Sequence, residues 1–81
     1  MDNLLKSVYD IVKETHKPEI LSEQAFCFST DSYPYVKVSL YTHLDRKLWN
    51  IYCVSVNQTH SNESFFLSAK FLSALLQILN V

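Results

Sequence analysis

Two long runs of β-forming residues, split by one polar hinge, constrain this chain more than any other feature. The first is Tyr33-Pro34-Tyr35-Val36-Lys37-Val38-Ser39-Leu40-Tyr41-Thr42 and the second is Leu48-Trp49-Asn50-Ile51-Tyr52-Cys53-Val54-Ser55-Val56-Asn57. Val36, Val38 and Leu40 alternate with Lys37, Ser39 and Tyr41, a period of two that sends the two sets to opposite faces of a sheet. Val, Ile, Tyr and Trp suit a pleated, half-buried surface. The runs therefore predict two strands joined as a hairpin. The hinge from Thr42 to Lys47 has no Asn-Gly or Asp-Gly pair, so a loop of four or five residues is expected rather than a two-residue primed turn.

Loop parity decides which side chains share a face. An even-length loop sets Leu40 across from Ile51 and Val38 across from Cys53. Trp49, Ile51 and Cys53 then join Val36, Val38 and Leu40 inside, while Tyr35, Lys37, Tyr41 and Tyr52 share the other face. An odd-length loop turns Tyr52, Val54 and Val56 inward instead. The even register is preferred because it buries Trp49 and Ile51. Under either parity the second run is apolar on both faces.

The flanking segments supply the remaining elements. Residues 2 to 16 carry Leu4 or Leu5, Val8, Ile11 and Val12 at helical spacing, with Asp2 or Asn3 as the cap and Pro18 as the stop. Glu19 to Glu23 reads as a connection. Gln24 to Thr30 reads as a short strand whose Phe26 and Phe28 alternate with Ala25, Cys27 and Ser29. Residues 58 to 61 read as a polar link, and a second helix is expected from Ser61 or Asn62 to the C-terminus. Its apolar residues form two stripes. Phe65, Ala69, Leu72, Leu76 and Leu79 make one, and Leu67, Phe71, Ala74, Leu75 and Ile78 make the other.

The expected architecture is thus α+β in the order α-β-β-β-α, a three-stranded antiparallel meander with both helices on one face. Residues 1–81 are read as one domain. The core is expected to collect Leu40, Ile51, Trp49, Phe26, Val8, Ile11, Leu72 and Leu76. That choice leaves Leu67, Phe71, Leu75 and Ile78 uncovered. An exposed apolar stripe of this size predicts a homodimer through the last helix. The edge of the third strand is the second candidate surface.

Composition excludes several chemistries. The chain has no glycine. Phosphate-cradling loops, the dinucleotide fingerprint and the strained nucleophile elbow all need one. The three histidines and two cysteines lack the short spacings of a zinc site. Cys53 lies mid-strand without a cation to activate it, and Cys27 and Cys53 read as small buried hydrophobes. No catalytic residue, metal or cofactor is assigned. A formal net charge of −1 gives no general basic footprint for nucleic acid or an anionic membrane. Met1 to Lys6 lacks a basic segment followed by an apolar one, so a cytoplasmic setting is expected.

The order of elements resembles that of double-stranded-RNA-binding domains, and it is comparable to some small phage-encoded inhibitors of CRISPR nucleases. The glycine loop and lysine-rich helix start of those RNA binders are missing, because the last helix is read as opening Ser61-Asn62-Glu63-Ser64. The resemblance is one of topology and no residue is carried over.

Function is then sought on surfaces. Tyr35, Lys37, Tyr41 and Tyr52 share one face, and tyrosines are enriched where proteins meet. The expectation is a small non-enzymatic protein-binding protein of inhibitor, immunity or adaptor type, the phage anti-defence kind included. The alternative is a nucleic-acid-binding domain that stacks bases on the tyrosines. Clustering of Lys6, Lys13, Lys17 and Lys70 on one side would favour it.

Overall fold

A computed structural model describes residues 1–80. Its order is α1 (Asn3–Lys13), β1 (Glu19–Ser22), β2 (Ala25–Phe28), β3 (Tyr35–His43), β4 (Arg46–Val54), β5 (His60–Phe65) and α2 (Ser68–Leu79). The strands form one antiparallel sheet in the order β1-β2-β3-β4-β5. The α+β class therefore holds, but the sheet has five strands where three were expected. The order no longer matches the α-β-β-β-α pattern of the RNA-binding domains.

Both extra strands form where the sequence lacks strand signals. β1 replaces the connection at Glu19 to Glu23 and pairs with β2 through an irregularity between Ile20 and Ser22. β5 replaces the polar link and the expected helix start. His60-Ser61-Asn62-Glu63-Ser64 is poor in β-formers, yet it pairs residue by residue with β4, from Val54↔His60 to Trp49↔Phe65. Its backbone satisfies amides and carbonyls of β4 that would otherwise be unpaired. β4 is consequently an inner strand, and the idea of an exposed third-strand edge is overturned.

The hairpin is tighter than its residues suggest. Leu44 and Asp45 alone separate β3 from β4, and His43↔Arg46 closes the turn. Both turn residues have positive φ, 52° and 62°, as a type I′ turn requires. The loop is even in length, so the preferred faces are those observed. The register is two residues tighter than expected, with Leu40↔Trp49, Val38↔Ile51 and Val36↔Cys53.

Alternation then builds the core. Phe26, Phe28, Val36, Val38, Leu40, Trp49, Ile51 and Cys53 are buried on one side of the sheet, together with Leu5, Val8 and Val12 of α1 and Phe71 and Leu75 of α2. Tyr9 of α1 meets Phe26 edge-on at 5.5 Å. Asp2 caps α1, its Oδ1 accepting from the Leu4 amide at 2.8 Å. Its other oxygen meets Lys47 Nζ at 3.1 Å and ties the helix start to β4.

α2 docks with the opposite stripe to the one expected. The Phe71 ring stacks on Trp49 at 4.0 Å and 9°. Trp49 Nε1 donates to Ser68 Oγ at 3.3 Å, which fixes the first turn of the helix. Phe71 and Leu75 are thus buried in the chain's own core, so they are not a surface for a second copy. Leu67 is exposed and Ile78 half-buried. Leu76 and Ile11 of α1 are exposed, so these two leave the expected core, while Leu72 is half-buried and packs against its margin. Among the described residues, no helix is long and apolar enough to cross a membrane.

Candidate functional site

Both helices bury their apolar stripes against one face of the sheet, which leaves the other face without a covering layer. Strand alternation and the pairing registers write out that open face row by row. One row is Tyr35, Val54 and His60, and the next is Cys27, Lys37, Tyr52 and Asn62. Then come Ala25, Ser39, Asn50 and Ser64, next Tyr41 with Leu48, and last His43 with Arg46. All four residues picked from the sequence, Tyr35, Lys37, Tyr41 and Tyr52, lie on it.

They do not form one patch. Tyr35 and Tyr41 are separated by six residues of extended strand, roughly 20 Å. At one end the Tyr35 and Tyr52 rings meet edge to face, 6.1 Å apart at 68°. The Tyr52 hydroxyl and His60 Nδ1 share a hydrogen bond. Lys37 stands opposite Tyr52 in the ladder. Tyr35 is half-buried, and that desolvation raises its phenol above the ordinary value, with smaller contributions from Cys27, Tyr52 and Glu19.

The other end holds a second aromatic group. Strand parity continued one residue past β5 puts Phe66 on this face, opposite Leu48. The Arg46 guanidinium lies 4.1 Å from the centre of its ring, and the His43 ring lies 6.3 Å away. Leu48 is buried here although no helix covers it. Between the two ends the face is polar and knitted together. Asn50 Nδ2 donates to Asn62 Oδ1 at 2.6 Å, to Ser64 Oγ at 3.0 Å and to the Glu63 carbonyl at 3.2 Å.

His60, Arg46 and Phe66 were not among the sequence-predicted residues. His60 was read as part of a link and Phe66 as part of a helix. The pairing of β5 with β4 brings both to the face, and no local propensity announces that pairing. Lys37 and Arg46 are its fixed cations, and Glu19, on the edge strand, is its one acid. The lysines that would have extended a basic surface lie elsewhere. Lys6 and Lys13 of α1 and Lys70 of α2 belong to the helix layer, on the opposite side of the sheet, and Lys6 pairs with Asp10 at 3.5 Å.

The thiols sit on different faces. Cys27 lies on the open face and Cys53 on the core face, with β3 between their strands. Two strand spacings of about 4.8 Å exceed the reach of a disulfide, and both cysteines are free. Burial pushes the Cys53 thiol up, Glu63 adds to this and Ser61 partly offsets it. Burial likewise raises the Cys27 thiol, with help from Glu19. Neither is set up as a thiolate.

The chain was compared with protein-family models, curated proteins and solved structures, and it matches none of them.

Proposed function

We propose that this chain acts without catalysis, by holding another protein against the open face of its sheet. The observation that supports this most is the ordered group of Tyr35, Tyr52, His60 and Lys37 on a face that neither helix covers. Rings held by neighbours lose little rotamer freedom on binding, which makes them good anchors. The asparagine and serine centre offers hydrogen bonds around them, as an interface rim does. An inhibitor, immunity protein or adaptor needs no more than such a rigid surface. Lys6, Lys13 and Lys70 share the helix side of the sheet, which is the arrangement expected to favour nucleic acid, but they lie on the far side from the tyrosines, so the partner of the tyrosine face is read as protein. A base-stacking surface tracks phosphates with cations beside its rings.

The test uses the chain as bait in an extract of its source cell, alongside Tyr35→Ala/Tyr52→Ala. A protein held by the natural chain and lost by a cooperatively folded variant supports the reading. Equal retention by both refutes it. A gel shift with single-stranded oligonucleotides at two salt concentrations checks the alternative.

Self-association is part of the same reading, carried by a different part of the helix layer from the one first expected. Leu4 is 49% exposed, Ile11 40% and Leu76 47%. Leu4 and Ile11 flank the buried stripe of α1 on the side away from Tyr9. Leu67, 56% exposed, adds apolar surface at the start of α2. A two-fold pairing of helix layers would bury these residues against their equivalents and leave the open sheet faces free.

A further inference from the structure

A cleft of about 260 Å3 opens on the helix side of the sheet, between the C-terminal half of α2 and the β4–β5 pair. Ile51 and Cys53 point into it from β4, and both are almost fully buried. Ala74 and Ile78 of α2 form one wall, and Phe65 closes one end. Polar residues also line it: Glu63, exposed and opposite Ile51 in the ladder, with Ser61, exposed Gln77 and half-buried Tyr33. The ion pairs among the described residues are Lys6–Asp10 and Lys47–Asp2, so Glu63 has no cationic partner.

The lining is mixed, with polar residues on the β5 side and apolar ones on α2 and at the closed end, and a small-ligand site likewise combines apolar walls with a few polar groups. Here the single fixed charge is negative and uncompensated. We propose that the cleft binds a small alkylammonium ion, its chain against Ile51, Phe65 and Ile78 and its ammonium at Glu63. A half-open cleft of this size takes roughly six to eight heavy atoms, at about 30 Å3 for each atom-sized unit as in liquid water. The site lies on the opposite side of the sheet from the tyrosines, so it stands or falls independently of the tyrosine face, and it lies beside the helix surface proposed for self-association rather than on Leu4, Ile11 or Leu76.

The probe is n-hexylamine, titrated at pH 7 into the uniformly 15N-labelled chain and followed by amide chemical shifts. Sodium hexanoate serves as the charge-reversed control. The expected result is a saturable shift confined to residues around Ile51, Phe65 and Ile78 with the amine, and no saturation with hexanoate. Glu63→Gln should weaken the amine about fivefold, the scale of one partly exposed charge pair. Ala74→Phe, which fills the cleft from α2, should remove binding. Equal binding of amine and hexanoate, or no saturation with either, would overturn the proposal, and both outcomes are read on the natural chain. Unchanged amine affinity in Glu63→Gln would also overturn it.

Discussion

Replacing Leu44 by Asn should stabilise the protein, and the size of the gain follows from the turn. Leu44 has φ 52° and its neighbour Asp45 has φ 62°. An L-residue in this left-handed region brings its Cβ against the following carbonyl, at a cost of about 1–2 kcal/mol. Asn escapes much of that cost through local hydrogen bonding, and Leu does not. The Leu44 side chain is 81% exposed, so removing it forfeits almost no packing. The substitution should therefore gain about 1 kcal/mol, which for a domain of this size raises the thermal midpoint by roughly 4–8 °C. Asp45→Gly should add little to this. Glycine fits the second position, but its greater freedom in the unfolded chain takes back about 0.5–1 kcal/mol. The control is Leu44→Val, whose branched Cβ is worse placed at positive φ and should lower the midpoint. Thermal and urea denaturation followed by circular dichroism measure all three. A midpoint for Leu44→Asn equal to or below that of the natural chain would refute the reasoning. It would mean either that the strain is absent or that the Leu44 side chain makes a stabilising contact.

Three further substitutions test other levels of the structure. Phe71→Ala removes the ring stacked on Trp49 and should cost about 3–5 kcal/mol in urea denaturation, whereas Leu76→Ala on the outer stripe should cost under about 1 kcal/mol in the monomer. Leu76→Glu should leave the fold intact and shift sedimentation at micromolar concentration from dimer to monomer. A natural chain that already sediments at 9.4 kDa would contradict the self-association reading. The cap hydrogen bond from Leu4, and then Lys47, hold the Asp2 carboxyl below its ordinary value of 3.8. A depressed carboxyl contributes stability above its unfolded value and loses it as pH falls through the folded one. Asp2→Ala should thus be less stable than the natural chain at pH 7, and the gap should narrow below about pH 3.8 in acid titrations.

The parts of the fold legible in the sequence are those where a periodic pattern had a single interpretation. Val36, Val38 and Leu40 alternate strictly, and their face, together with that of Trp49, Ile51 and Cys53, is the core face. Tyr35, Lys37, Tyr41 and Tyr52 followed onto the open face by parity. The register slipped by two residues because turn chemistry was read from composition. The absence of glycine argued against a primed turn, yet Leu44 and Asp45 adopt one, so strand pairing on both sides outweighs a local penalty of about 1–2 kcal/mol.

β5 and α2 show the opposite situation, in which local pattern and global requirement disagree. Ser61, Asn62 and Glu63 carry the signature of a helix start, a capping residue with an acid in the first turn. In a three-stranded sheet, however, β4 would have left nine residues of strand, six of them apolar or aromatic, with one open edge. Pairing with His60–Phe65 closes that edge at the expense of about two turns of helix. The consequence reaches the candidate site. With the chain extended to Phe65, the helix starts at Ser68, where the Trp49 indole meets it, and the Phe71 stripe turns inward. Phe66 is left on the other side of the sheet beside Arg46, and His60 comes within reach of Tyr52. The aromatic groups at both ends of the open face are therefore products of one pairing that the sequence of β5 does not advertise. A variant that restores helical preference there tests this link directly. Ser61→Ala/Asn62→Ala/Ser64→Ala should raise the helical signal in an isolated 58–80 peptide, while in the whole chain it should weaken the Tyr52–His60 contact and lower stability. If the whole chain kept its stability, β5 would not be the element that fixes α2 and the open face.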